Sequence, residues 1–105
     1  MSNYPTATVI STTGSTSLTV ITRSTDAGPH GTRVINSTTF RREADAEWTA
    51  EENAAINAAH DEADRVAAQI NREIRRELEA NQLRTGMAKL AEDEAARRIL
   101  ARHEQ

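Results

Sequence analysis

The sequence predicts an α+β fold in which a small N-terminal antiparallel β-meander precedes a long amphipathic helix and a second, shorter helix. The composition changes near Phe40, from Ser and Thr with little charge to Ala, Glu and Arg with no Pro and one Gly. Apolar residues come in short alternating runs before this point and recur every three or four residues after it. We therefore divide the chain into a Ser/Thr-rich β head, residues 1–48, and a charged helical hairpin, residues 49–105, which form one compact unit.

Three runs in the head favour β-strands because they are rich in Val, Ile and Thr. They are Ala7–Ser11, Ser17–Arg23 and Thr32–Phe40. Gly14 predicts a turn after the first run, and residues 26–31 concentrate the turn formers Asp, Gly and Pro after the second. The head is therefore interpreted as three strands in sequence.

Alternation along the second run assigns its side chains to two faces. Leu18, Val20 and Thr22 share one face, whereas Thr19, Ile21 and Arg23 share the other. A disordered arm is the alternative interpretation of residues 1–39. Since a two-stranded hairpin is marginal in water, we expect the sheet to need its third strand or the helices packed on it.

The second half predicts two helices. Thr49 and Glu52 have the spacing of a capping box, which marks the first helix start. Gly86 interrupts the apolar periodicity, so we expect helices over 50–81 and 87–103, folded back as a hairpin. One continuous helix is the alternative, because an internal Gly costs only about 1 kcal/mol relative to Ala. A further short helical turn is considered over Phe40–Trp48.

Seven apolar residues of these helices are expected to form the main hydrophobic contact, either with one another or with the same segment of a second copy. They are Val66, Ile70, Ile74, Leu78, Met87, Leu90 and Ile99. The chain has one Phe, one Trp and one Tyr, so its own core is expected to be thin. We therefore expect a homo-oligomer, joined through strand edges of the head or through the Ala face around Ala55, Ala59 and Ala63.

The long helix is polarised in charge. Residues 43–64 carry eight acidic side chains and no Lys or Arg, and a group of Arg residues follows. Acids near a helix start complement its dipole, which explains part of this pattern. The functional interpretation is a surface for a protein or an anion, and its residues are Glu51, Glu52, Asp61, Arg65, Arg72, Arg75 and Arg76. Asp61 and Arg65, four residues apart, are expected to form an ion pair.

The sequence favours no catalysis, no metal and no cofactor. The chain lacks Cys, and His30, His60 and His103 have no neighbouring set of ligands that would complete a metal site. No run approaches the length of about 20 apolar residues that spans a bilayer. With a net charge of −3, nucleic acid is a less favoured partner than protein.

No motif assigns the chain to a family. In general character it resembles accessory proteins of bacterial viruses, which are often small and Cys-free with a charged helical hairpin. The resemblance implies a protein in the host cytoplasm or in the virion. The expected function is that of a non-catalytic protein that binds and inhibits or sequesters a host factor. The alternative is a structural component of a virus particle or other assembly, such as a decoration, connector or head–tail protein.

Overall fold

The computed structural model describes residues 4–28, 31–85 and 89–104. Within these ranges, side chains are described for all residues except 27, 28, 31, 32, 81–85 and 89–91. Three strands, β1 (Ala7–Thr13), β2 (Ser17–Gly28) and β3 (Gly31–Arg41), precede two helices, α1 (Ala50–Thr85) and α2 (Lys89–His103). The strands form one antiparallel sheet in the order β1-β2-β3. The predicted α+β fold, with a meander followed by a long and a shorter helix, is confirmed.

Strands β2 and β3 extend further than the sequence indicated. β2 continues through the turn-forming residues to Gly28, which lies opposite Gly31. Register shifts between Thr22 and Ala27 absorb these residues, and the Asp26 N–H donates to the Ser24 hydroxyl at 3.1 Å. The expected loop is therefore a bulged continuation of the hairpin, because a bulge accommodates extra residues on one strand without ending the pairing.

The two faces of the sheet follow the predicted alternation. Val20 and Thr22 are buried beneath α1, and the Thr22 hydroxyl lies 3.5 Å from the Ala63 carbonyl oxygen. β3 contributes Ile35 to the same inner face at a register shift, because Thr22 pairs with Asn36 and Arg23 pairs with the residue before Ile35. The inner face is thus the one on which the helices pack.

The main core lies where α1, α2 and the inner face meet. Ile70 and Ile74 of α1 and Ile99 and Leu100 of α2 are at most 1% exposed. Ala7, Ala67, Leu78, Ala95 and Ala96 complete the cluster together with Ile35. The core is formed within a single chain, and Ala supplies much of its lining.

α1 sets the long dimension of the molecule. Its 36 residues span about 54 Å at the usual helical rise, and the molecule measures 58 × 27 × 23 Å. The radius of gyration is 16.9 Å, against about 13 Å for a compact chain of this length. The fold therefore exposes more surface than a compact domain would.

The segment between β3 and α1 is not a helical turn. Phe40 belongs to β3 and pairs with Leu18, so the turn considered over Phe40–Trp48 is wrong. The pairing of Phe40 with β2 outweighs the helical spacing of Phe40, Ala44 and Trp48. In the connection that follows, the Arg42 guanidinium lies 5.6 Å from the Trp48 ring centroid. This cation–π contact anchors the connection shortly before the first turn of α1.

The capping box forms as predicted and gives a first test. The Glu52 N–H donates to the Thr49 hydroxyl at 3.1 Å, and the Thr49 N–H donates to the Glu52 carboxylate at 2.9 Å. Thr49→Ala should lower the free energy of unfolding by about 1 kcal/mol, measured by urea denaturation. Thr49→Ser keeps the hydroxyl and should stay close to wild type. Equal losses in both variants would contradict a capping role.

Candidate interaction surfaces

The outer face of the sheet is the first candidate surface. Cross-strand pairing aligns Ile10, Ile21 and Ser37 in one row across the three strands. Ile10 and Ile21 are partly exposed, and Ser37 is exposed. The hydroxyl oxygens of Thr19 and Thr39 lie 3.1 Å apart on this face. Within the described residues, neither helix packs on it.

The two edges of the sheet differ in how their backbone groups are satisfied. The Thr25 N–H donates to the Thr6 carbonyl, so the backbone groups of the next residue, Ala7, point away from β2. The Ala7 N–H donates to the Asn71 Oδ1 at 2.8 Å, and the Asn71 Nδ2 donates to the Ala7 carbonyl at 3.0 Å. The side-chain amide of Asn71 thus acts as a strand partner and closes this end of the β1 edge.

The β3 edge has no such closure. The Arg42 N–H donates to the Thr16 carbonyl at 2.9 Å, so by alternation the backbone groups of residues 36, 38 and 40 also face β2. Those of Ser37, Thr39 and Arg41 point away from the sheet. No described side chain bonds to these outward groups.

The charged residues singled out by the sequence do not converge on one site. Glu52 is engaged in the helix cap, and Arg65 pairs with Glu62 instead of the expected Asp61. The remaining members, Glu51, Asp61, Arg72, Arg75 and Arg76, are exposed along α1.

A shallow depression lies among the Arg residues of this set. It is lined by Gln69, Arg72, Glu73 and Arg76. The Glu73 carboxylate lies 3.2 Å from His103 and 3.8 Å from Arg102, so it neutralises α2 charge at this point. The depression combines two cations with a carboxylate, and its described lining comes from α1 alone.

Most of the described residues of the predicted apolar stripe are buried within the single chain. Ile70, Ile74, Leu78 and Ile99 are buried in the core, and Val66 is partly buried beside it. Met87 and the side chain of Leu90 lie outside the described residues. The Ala face is interrupted, because Ala63 is buried whereas Ala55 is exposed. Sequence reasoning did not identify Asn71 as a residue that contacts the sheet. The sequence hints at this role only in that a polar residue directly follows Ile70 of the stripe.

His30 lies outside the described residues. No group of three metal-ligating side chains occurs in the described part of the chain. Neither helix, over its described residues, has a segment long and apolar enough to cross a membrane. No known protein family, curated protein or solved structure matches the chain.

Proposed function

We propose that the protein is a non-catalytic interaction protein that binds another protein through the outer face of its sheet. The observation that carries the proposal is the row formed by Ile10 and Ile21, which is only partly covered although both side chains are large and apolar. The centres of protein interfaces are depleted in charge, and the two Ile residues are surrounded on this face by Thr and Ser, apart from Arg23 in the adjacent row. A partner surface would complete the burial of that row.

The role that fits best is binding that inhibits or sequesters a host factor, in keeping with the general resemblance of the sequence to viral accessory proteins. A preformed sheet with helices packed on its other face suits this role, since little order has to be created on binding. The second candidate, a structural component of an assembly, is favoured by the open β3 edge. Stoichiometric copies in purified virus particles would identify the second role.

Ile21→Lys is the variant that tests this proposal. It places a charge in the middle of the outer face and should lower partner affinity about 10-fold or more, because central apolar residues dominate interface energetics. Affinity would be measured by interferometry on a partner captured from host lysate by the immobilised wild type. Circular dichroism would verify that the variant keeps its fold.

Arg72→Glu is the matched control, because it alters the charged face of α1 and leaves the sheet unchanged. It should bind the partner as the wild type does. If Arg72→Glu lost binding and Ile21→Lys retained it, the partner would bind the charged face of α1 and not the sheet. A wild type that retains no host protein would contradict the proposal.

A further inference from the structure

We propose that the β3 edge pairs antiparallel with the β3 edge of a second copy and so joins two sheets into one of six strands. This inference goes beyond the proposed function, because it concerns the chain itself as a partner. It rests on the β3 edge, which no described side chain closes over Ser37–Arg41, whereas Asn71 closes the β1 edge at Ala7, and on a register that brings no like charges together.

From Asn36 to Phe40, beyond the register shift at Ile35, the open edge lacks the usual devices that keep a strand from pairing. Monomeric proteins protect edges with charge, Pro, bulges or covering segments. Residues 34–40 of β3 contain no charged residue and no Pro. Arg33, at the start of the strand, lies 3.8 Å from Glu104 at the end of α2 and is therefore directed to the helices. The stretch Ser37–Arg41 is left available for a neighbouring strand.

A twofold axis at Thr39 gives a register without like-charge contacts. Thr39 then lies opposite Thr39 of the other copy, and Ser37 lies opposite Arg41. All three residues present outward backbone groups, so each of these pairs exchanges N–H···O bonds across the axis. An axis at Arg41 would instead oppose two copies of Arg41. Charge therefore disfavours that register, and the register centred on Thr39 is the one that places a neutral Ser37 opposite each Arg41.

The same register covers an exposed part of the inner face. α1 lies toward β1 and β2, as the bonds from Asn71 to Ala7 show. Thr38 is consequently exposed, although its β2 neighbour Val20 is buried, and Phe40 is only partly buried. In the proposed pairing Phe40 of each copy lies opposite Thr38 of the other. The dimer thus adds apolar burial to its backbone bonds.

Sedimentation equilibrium of the full chain measures the first consequence. The wild type should show twice the 11.5 kDa mass of the chain in a concentration-dependent equilibrium. Thr39→Pro removes an outward N–H from β3 without removing a β2 bond, and it should yield the monomer. Ser11→Pro is the matched control, since Ser11 also points its backbone groups outward, from the β1 edge. It should remain dimeric.

A charge substitution tests the register without altering the backbone. Ser37→Glu would face Arg41 twice across the axis and should lower the dimer Kd about 2- to 30-fold, whereas Ser37→Lys should raise it by a similar factor. Thr12→Glu and Thr12→Lys, made on β1, should leave the Kd unchanged.

Three results would overturn the proposal. These are a wild type that is monomeric at every concentration, a dimer that Ser11→Pro dissociates and Thr39→Pro does not, and equal Kd values for the two Ser37 variants. Partner capture is read out separately from mass, so failure here is distinguishable from failure of the proposed function.

Discussion

Replacing Ile70 with Asp is expected to unfold the protein. Ile70 is 1% exposed and belongs to the cluster in which α1 meets Ala7 of the sheet and Ile99 of α2. Removing a buried Ile side chain costs about 2–5 kcal/mol, and an unpaired carboxylate in the same place adds its desolvation cost. A small domain is stable by only about 5–15 kcal/mol in total. The variant should therefore lose its cooperative thermal transition in circular dichroism.

Two further variants make this result specific to the core. Gln69→Asp introduces the same charge at the exposed neighbouring position, and it should melt close to the wild-type temperature. Ile74→Val removes one methylene from a fully buried side chain and should cost about 0.5–1.5 kcal/mol in urea denaturation. An Ile70→Asp variant with wild-type melting would show that the stripe is not the core.

The elements that sequence reasoning predicted well are those governed by local periodicity. The stripe from Ile70 to Leu78 repeats at helical spacing, and the Thr49–Glu52 cap satisfies backbone groups only three residues apart. The face of Val20 and Thr22 followed from simple alternation. Each of these features depends on neighbours in sequence, so the local pattern contains the necessary information.

The features that were not predicted depend on contacts between distant segments. Asp26 was interpreted as a turn residue, but in the structure its carboxylate accepts from Arg97 of α2 at 3.1 Å. Ile35 enters the core only because the β2–β3 register shifts beside it. Helical spacing alone offered Arg65 more than one acidic partner. A periodicity in one segment does not specify how another segment is aligned against it.

For the candidate surfaces too, the sequence predicted the local features but not those that depend on packing between segments. Ile21 was assigned to the face opposite Val20 from the sequence, but which face the helices cover is decided by packing. The charged residues from Glu51 to Arg76 were identified from composition, and the structure spreads them along one helix. The difference between the two sheet edges had no counterpart in the sequence, because it depends on Asn71 reaching a strand 64 residues away.

The stability of the fold is expected to depend in part on association with another chain. The helices bury one face of the sheet, and much of the core they form is lined with Ala, which buries little area per residue. The outer face and the β3 edge carry apolar or unpaired groups that a larger domain would cover internally. Association is therefore expected to stabilise the fold.

Asn71→Ala is expected to destabilise the protein and to open the β1 edge. The substitution removes both hydrogen bonds to Ala7, whose backbone is part of the buried core. Leaving buried backbone groups unpaired costs about 1–3 kcal/mol, which outweighs the gain of a few tenths of a kcal/mol from the better helix propensity of Ala. The loss should appear in urea denaturation, and hydrogen exchange of the Ala7 amide should accelerate.

Asn57→Ala separates the effect of the Asn71–Ala7 hydrogen bonds from that of helix propensity, because it makes the same replacement at an exposed position of the same helix. It should be neutral or slightly stabilising and should leave the Ala7 amide protected. The two variants differ only in whether the amide meets a strand, so the difference between their unfolding free energies isolates that contact. Equal stabilities would mean that water satisfies Ala7 as well as Asn71 does. In the Asn71→Ala variant, the exposed β1 edge would then compete with β3 for a second copy. Ser11→Pro made in that variant would therefore affect dimerisation.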